Sequence, residues 1–319
     1  MNLLKPRLPS RAPRPGHHRR LLVCGVMIAA LARAAGGAGA DDPPAQPVSN
    51  APAAAPAKPA AGDPAAAPVA AAPAKSAGGP QQAVYPVSRQ EMEKAAARDP
   101  LEFLRVALKW SDEKITDYTC LFRKQERIGG ELRACESMQM KLRVDTFSVY
   151  VKWTGDQSRG QEVLYVQGRN DGNAIAHPSG ILGILFRKVA IDPAGKTALK
   201  HSRGPITVAG MANMLRLVIP QCELAKANGD LQLTFRGVRE ESGRPAYFFK
   251  RTLPNTNKYP CAILGIYIDC EYLACVRTDA YDWDGGLLSQ YIYSDLNINP
   301  GLTDDDFDVD NREYNFRMF

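Results

Sequence analysis

Beyond residue 40 the chain has two histidines, His177 and His201, and six cysteines, Cys120, Cys135, Cys222, Cys261, Cys270 and Cys275. A hydrolytic dyad needs a serine or cysteine activated by one of those histidines. Neither sits in a nucleophile motif: G-x-S-x-G is absent, and His177-Pro178-Ser179-Gly180 reads as a turn. No C-x-x-C pair exists to hold zinc or run thiol exchange. The acidic run Asp304, Asp305, Asp306, Asp308, Asp310 invites calcium, but counted from Asp304 the sixth residue is Val309 rather than glycine. The twelfth is Asn315 rather than glutamate, so the run reads as a solvated loop flanking Phe307. Gly180–Gly183 lacks the Lys-Ser/Thr of a phosphate loop. No catalytic residue, metal site or cofactor is expected, and the protein is read as not an enzyme.

What remains is apolar surface. Met138, Met140, Met211 and Met214 join Phe122, Val149, Val151, Trp153, Leu215, Val218, Leu233 and Phe235 on faces that a curved sheet around a helix would turn to one space. Methionine suits irregular core packing and adaptable apolar ligands alike, so these twelve are either cavity wall or ordinary core. Cys270 and Cys275, separated by Glu271–Ala274, are a candidate hairpin disulfide; the alternative is that each is a small buried hydrophobe.

The elements that must position those faces follow from periodicity. Ser88 with Glu91 resembles a capping box for a helix over Gln90–Arg98, and Asp99-Pro100 opens a second helix. From Ile115 the period becomes two. Asp117–Ile128, the Gly129-Gly130 turn and a return strand through Met138–Val144 lead into Phe147–Trp153 and Gln161–Gln167. In Phe147–Trp153 the odd positions read as buried, and Ser148, Tyr150 and Lys152 as wet. Gln161–Gln167 is apolar on both faces and is expected deeper in the sheet. Ile206–Ala225 is the one long helix, with Thr207 as N-cap and Pro220 bending or breaking its last turn. Strands over Leu231–Val238, Arg244–Arg251, Ala262–Asp269, Leu273–Asp282 and Leu287–Leu296 close the chain.

Residues 1–40 read as an export leader, a basic stretch followed by the short apolar run Leu21–Leu31 and Ala38-Gly39-Ala40. An uncleaved anchor is the alternative. Residues 41–87 form an Ala/Pro-rich tether too poor in large apolar side chains to fold, and 88–319 a single domain. Of 40 Lys+Arg, seven lie in the leader, leaving 33 against 34 Asp+Glu. The near balance leaves no basic surface for nucleic acid.

The runs FSVYVKW, GQEVLYVQGRNDG and GPITVAGMANML and the ending YIYSDLNINPGLTDDDF resemble an exported bacterial domain-of-unknown-function family, DUF1571, over roughly Asp99–Phe319. Its architecture is similar to the lipoprotein-localisation LolA/LolB-like fold. The resemblance implies an α+β, mainly antiparallel β protein, a curved open half-barrel sheet wrapping one long helix, with N-terminal helices. It also implies a periplasmic or cell-envelope protein, peripheral to the membrane at most, whose partner is a lipid or an acylated protein. A structural or scaffolding module with a filled core is the alternative expectation.

Overall fold

The structure, a computed structural model, describes residues 85–156 and 158–316. The expected leader and the tether as far as residue 84 lie outside the described residues. Two helices come first, α1 (Arg89–Arg98) and α2 (Pro100–Lys114). The Ser88 hydroxyl accepts from the Glu91 amide at 3.3 Å, and the Asp99 carboxylate from the Glu102 amide at 3.0 Å. Both starts are therefore set by side chains that satisfy orphan helix donors, with Pro100 at the first helical position.

The strands are β1 (Asp117–Ile128), β2 (Glu131–Leu132), β3 (Glu136–Arg143), β4 (Ser148–Trp153), β5 (Glu162–Val166) and β6 (Ala174–His177). The short helix α3 (Gly180–Leu185), β7 (Val189–Ile191) and the single turn α4 (Lys196–Leu199) lead to α5 (Met211–Ala227). Then come β8 (Gln232–Glu241), β9 (Arg244–Thr252), β10 (Ile263–Asp269), β11 (Cys275–Tyr281) and β12 (Leu287–Ile298).

They form one open antiparallel sheet in the order β7-β6-β5-β4-β3-β1-β12-β11-β10-β9-β8, with β2 paired only to β1. Each hairpin series is a meander, and the two join where β1 meets β12. Register aligns rows of side chains across the strands. Tyr118, Leu142, Val149 and Tyr165 form one row, and Cys120, Met140, Val151 and Val163 the next. Tyr293, Phe122, Met138 and Trp153 form a third. The period of two put these residues on one face, and that face is the main core.

Several expectations need correction. The long helix does not stand alone against the sheet: α2 lies alongside it, joined by Arg105–Glu223 at 3.0 Å and by Arg216–Asp112. Phe103 of α2 meets Tyr247 and Phe249 of β9 with ring centroids 5.1 Å apart. The helix begins at Met211, not Ile206, with Gly210 rather than Thr207 as its N-cap; Ile206–Val208 is a separate 3-10 turn. It runs through Pro220 to Ala227.

The outer face of β4 is not wet. Tyr150 packs with Leu164, Val166, Phe307, Tyr314 and Phe316 in a second core, and Ser148 is buried too. Tyr150 and Tyr314 stack at 3.9 Å. The main core buries one side of β5, through Val163 and Tyr165, and the Phe307–Phe316 segment buries the other, through Leu164 and Val166. The acidic run is the clamp: Asp306 pairs with Lys141 at 2.8 Å, Asp304 with Arg143 at 2.8 Å, and Asp310 with Lys188 at 3.0 Å. Glu162, fully buried, accepts from the Asn315 amide and side chain and pairs with Lys152.

The Cys270–Cys275 disulfide is absent, and all six described cysteines are free thiols. Register explains it, because Cys275 pairs with Ile268 rather than with Cys270. Burial pushes the Cys270 thiol up to about 11.

Candidate functional site

The site is built where four elements meet at one end of the inner face. After β1 begins, Tyr118 points to the core; Leu142 lies opposite it on β3, and Phe147 precedes β4. The last turn of α2 brings Ser111, Asp112 and Ile115, and the first turn of α5 brings Gly210–Asn213. Together they enclose a cavity of about 280 Å³, open to solvent on one side. That is near the lower end of the roughly 300–1,000 Å³ typical of ligand pockets.

Its floor is apolar: Ile115, Leu142, Phe147 and Met211. Its rim is polar: Asp112, Gln167, Thr207, Asn213 and Arg216. Arg216 pairs with Asp112 and donates to Asn213 Oδ1 at 2.9 Å, so the rim charges are matched. Asn213 Nδ2 donates to the Ala209 carbonyl at 2.7 Å.

Gly210 makes this geometry feasible. Its φ is +113°, which favours glycine, and a Cβ there would lie 2.9 Å from Leu142 Cδ1 and 3.0 Å from Tyr118 Oη. The close approach lets tyrosine hydroxyls serve as the cap that no neighbouring side chain supplies. Tyr118 Oη accepts from the Met211 amide at 3.1 Å, and Tyr293 Oη from the Gly210 amide at 3.3 Å. Burial first, then neighbouring Tyr293 and Cys120, hold the Tyr118 phenol well above its ordinary range. Ser111 lines the cavity, is 3% exposed, and its hydroxyl has no hydrogen-bond partner.

Of the twelve residues singled out from the sequence, only Met211 lines this cavity. Phe122, Met138, Met140, Val149, Val151, Trp153, Met214, Leu215 and Val218 are buried in the main core. Leu233 and Phe235, on β8, are half-buried against the same core. Leu233 also lines a shallower hollow of about 250 Å³ with Pro100, Leu101 and Leu231. Ser111, Gly210, Arg216 and Gln167 carried no sequence signal of their own. Gly210 alone could have been found, as the glycine directly before an apolar helical stripe.

The opposite end of the inner face is closed by charge. Buried Lys124 pairs with Glu126 at 3.2 Å and with Glu136 at 3.1 Å. Trp153 Nε1 donates to Glu136 at 3.0 Å, Tyr291 Oη to Glu126, and the Arg203 amide to Glu126 at 3.3 Å. Burial alone would lower the Lys124 ammonium, but Glu126 and Glu136 outweigh it and hold it above its ordinary range.

The histidines belong to neither constellation, although His201 lies near enough to the closed end to feel Lys124 and Glu136. His177 is buried, with Nδ1 3.2 Å from the Arg187 carbonyl. His201 is exposed, its imidazole lowered by partial desolvation and the nearby Lys200 charge. Among the described residues no cluster of His, Cys, Asp and Glu could hold a metal ion. No described helix is long and apolar enough to cross a membrane.

A family model described as "Protein of unknown function (DUF1571)" matches residues 115–316. No curated protein matches the chain. Among solved structures, the Pseudomonas aeruginosa MucA/MucB complex aligns at 16% identity over 66% of this chain and 61% of that one, TM-score 0.39. The Mycobacterium tuberculosis lipoprotein LppX aligns at 15% identity over 64% and 98%, TM-score 0.36. A LolA superfamily protein from Nitrosomonas europaea aligns at 11% identity over 64% and 97%, TM-score 0.28.

Proposed function

The chain belongs to the DUF1571 family, and from that premise we propose that it is a non-enzymatic cell-envelope protein that binds a lipid or acylated ligand. The cavity at the start of α5 is the entry, where α2 and α5 meet the inner face of the sheet. One observation carries this reading: an apolar-floored, polar-rimmed cavity opens onto a core whose adjoining side chains include Met211, Met214 and Met140. Unbranched methionines yield to an entering chain more readily than β-branched residues do. Burying an acyl chain is worth roughly 0.8 kcal/mol per methylene, so each carbon seated in the cavity should strengthen binding about fourfold. The near-neutral charge beyond residue 40 fits a partner other than nucleic acid.

A second reading, a scaffolding module with a filled core and no ligand, is favoured by α3. There Ile181, Ile184, Leu185 and Phe186 are exposed, Ile181 by 76% and Ile184 by 72%. A cluster of large apolar side chains in water suits a protein contact.

The two readings separate in one experiment. The chain is purified from its own cells without detergent, extracted with organic solvent, and the extract analysed by mass spectrometry. Stoichiometric lipid supports ligand binding; an empty extract, with no uptake of an apolar fluorophore by the protein, favours the scaffold.

A further inference from the structure

We propose that the ligand is an amphiphile with a carboxylate head, and that the carboxylate sits at the N-terminus of α5 against Ser111. This deepens, and rests on, the ligand-binding reading above. The 17-residue helix α5 starts in the cavity wall. Its first two donors are taken, since the Gly210 and Met211 amides give their hydrogens to Tyr293 and Tyr118. The Met214 amide bonds to the Gly210 carbonyl. The amides of Ala212 and Asn213 lie between these, among the orphan donors of a helix start, and both residues line the cavity.

Ser111 is the independent pointer. It comes from a different helix, is 97% buried, lines the same cavity, and its hydroxyl meets no partner in the folded chain. A buried hydroxyl left unpaired is costly, and a ligand oxygen placed here would satisfy it together with the two amides.

Charge decides which oxygen. Asp112 and Arg216 cancel across the rim at 2.5 Å, leaving the helix end as the net field, equivalent to roughly half a positive charge. Three donors and a positive end favour an anion over a neutral hydroxyl. The apolar floor of Leu142, Phe147 and Met211 then takes the first carbons of the tail.

The test measures binding of decanoate and of decanol to the full chain by titration calorimetry at neutral pH, with the Ser111→Ala variant alongside. Decanoate is expected to bind about tenfold tighter than decanol, and Ser111→Ala to weaken decanoate by about threefold or more. Equal affinity for the two probes overturns the carboxylate assignment while leaving lipid binding intact. A preference for decanoate untouched by Ser111→Ala overturns the placement at α5. Failure of both probes to bind overturns the ligand-binding reading itself.

Discussion

The inner face of the sheet ends in two ways, and β1 runs from one to the other. At Tyr118 it borders a cavity; six residues on, about 20 Å away at the usual strand rise, Lys124 sits in a closed ionic cluster. Both ends bury polar groups. At the closed end those groups meet each other: Lys124 with two carboxylates, Glu126 with Tyr291 and the Arg203 amide, Glu136 with Trp153. At the cavity end the Ser111 hydroxyl has no partner. Buried polar groups that satisfy one another specify a structure; buried polar groups that do not are the ones to suspect of binding.

The sharpest way to break this contrast is to unbalance the closed end. Lys124→Met leaves buried Glu126 and half-buried Glu136 without their cation, and is expected to cost about 3–5 kcal/mol in urea unfolding. A loss under 1 kcal/mol would mean that the cluster is solvated and the two ends are alike.

Gly210→Ala probes the cavity end. A methyl group must displace Leu142 or Tyr118 and hold a left-handed φ, so stability should fall by about 1–3 kcal/mol. Tyr118 and Tyr293 should lose their grip on the start of α5, seen as faster amide exchange at Gly210 and Met211. A neutral substitution would show that the helix start is loosely seated.

The outer face tests whether ionic closure is confined to the inner one. Burial opposes ionisation of Asp306, but the Lys141 bond and the Thr303 amide outweigh it and lower its pKa below the usual 3.8. A depressed carboxylate stabilises the fold above its unfolded pKa, and that contribution is lost as pH falls through the folded value. Acid titration should therefore release the chain end below about pH 4, read from the near-ultraviolet dichroism of the Tyr150–Tyr314 stack. In Asp306→Asn the release should lose that acid dependence.

The smallest effect has the opposite sign. Because the Ser111 hydroxyl is unpaired, Ser111→Ala should leave the unliganded protein unchanged or more stable, by up to about 1 kcal/mol. A clear destabilisation would mean that the hydroxyl is structural, and the contrast with Lys124 would fade.

Local pattern accounts for what the sequence disclosed. The caps at Ser88 and Asp99, the turn at Gly129-Gly130 and the alternation along β1, β3 and β4 are decided within a few residues, and each lies where periodicity placed it. Non-local contacts account for the rest. Tyr150 reads as wet because its cover, Tyr314, is 164 positions away. The acidic run reads as solvated because Lys141 and Arg143 lie far up the chain. The face of methionines and aromatics was legible with two readings open, cavity wall or ordinary core, and most of it is core. The cavity draws on α2, β1, β3 and α5 together, and only Met211 of its lining had been singled out as a site residue.

The most direct measurement is photo-crosslinking of a diazirine-bearing decanoate analogue to the full chain, with adducts mapped by peptide mass spectrometry. Adducts on Ile115, Leu142 and Met211 are the expected result. Adducts confined to Ile181, Ile184, Leu185 and Phe186 on α3 would contradict it, placing apolar binding on the outside of the molecule.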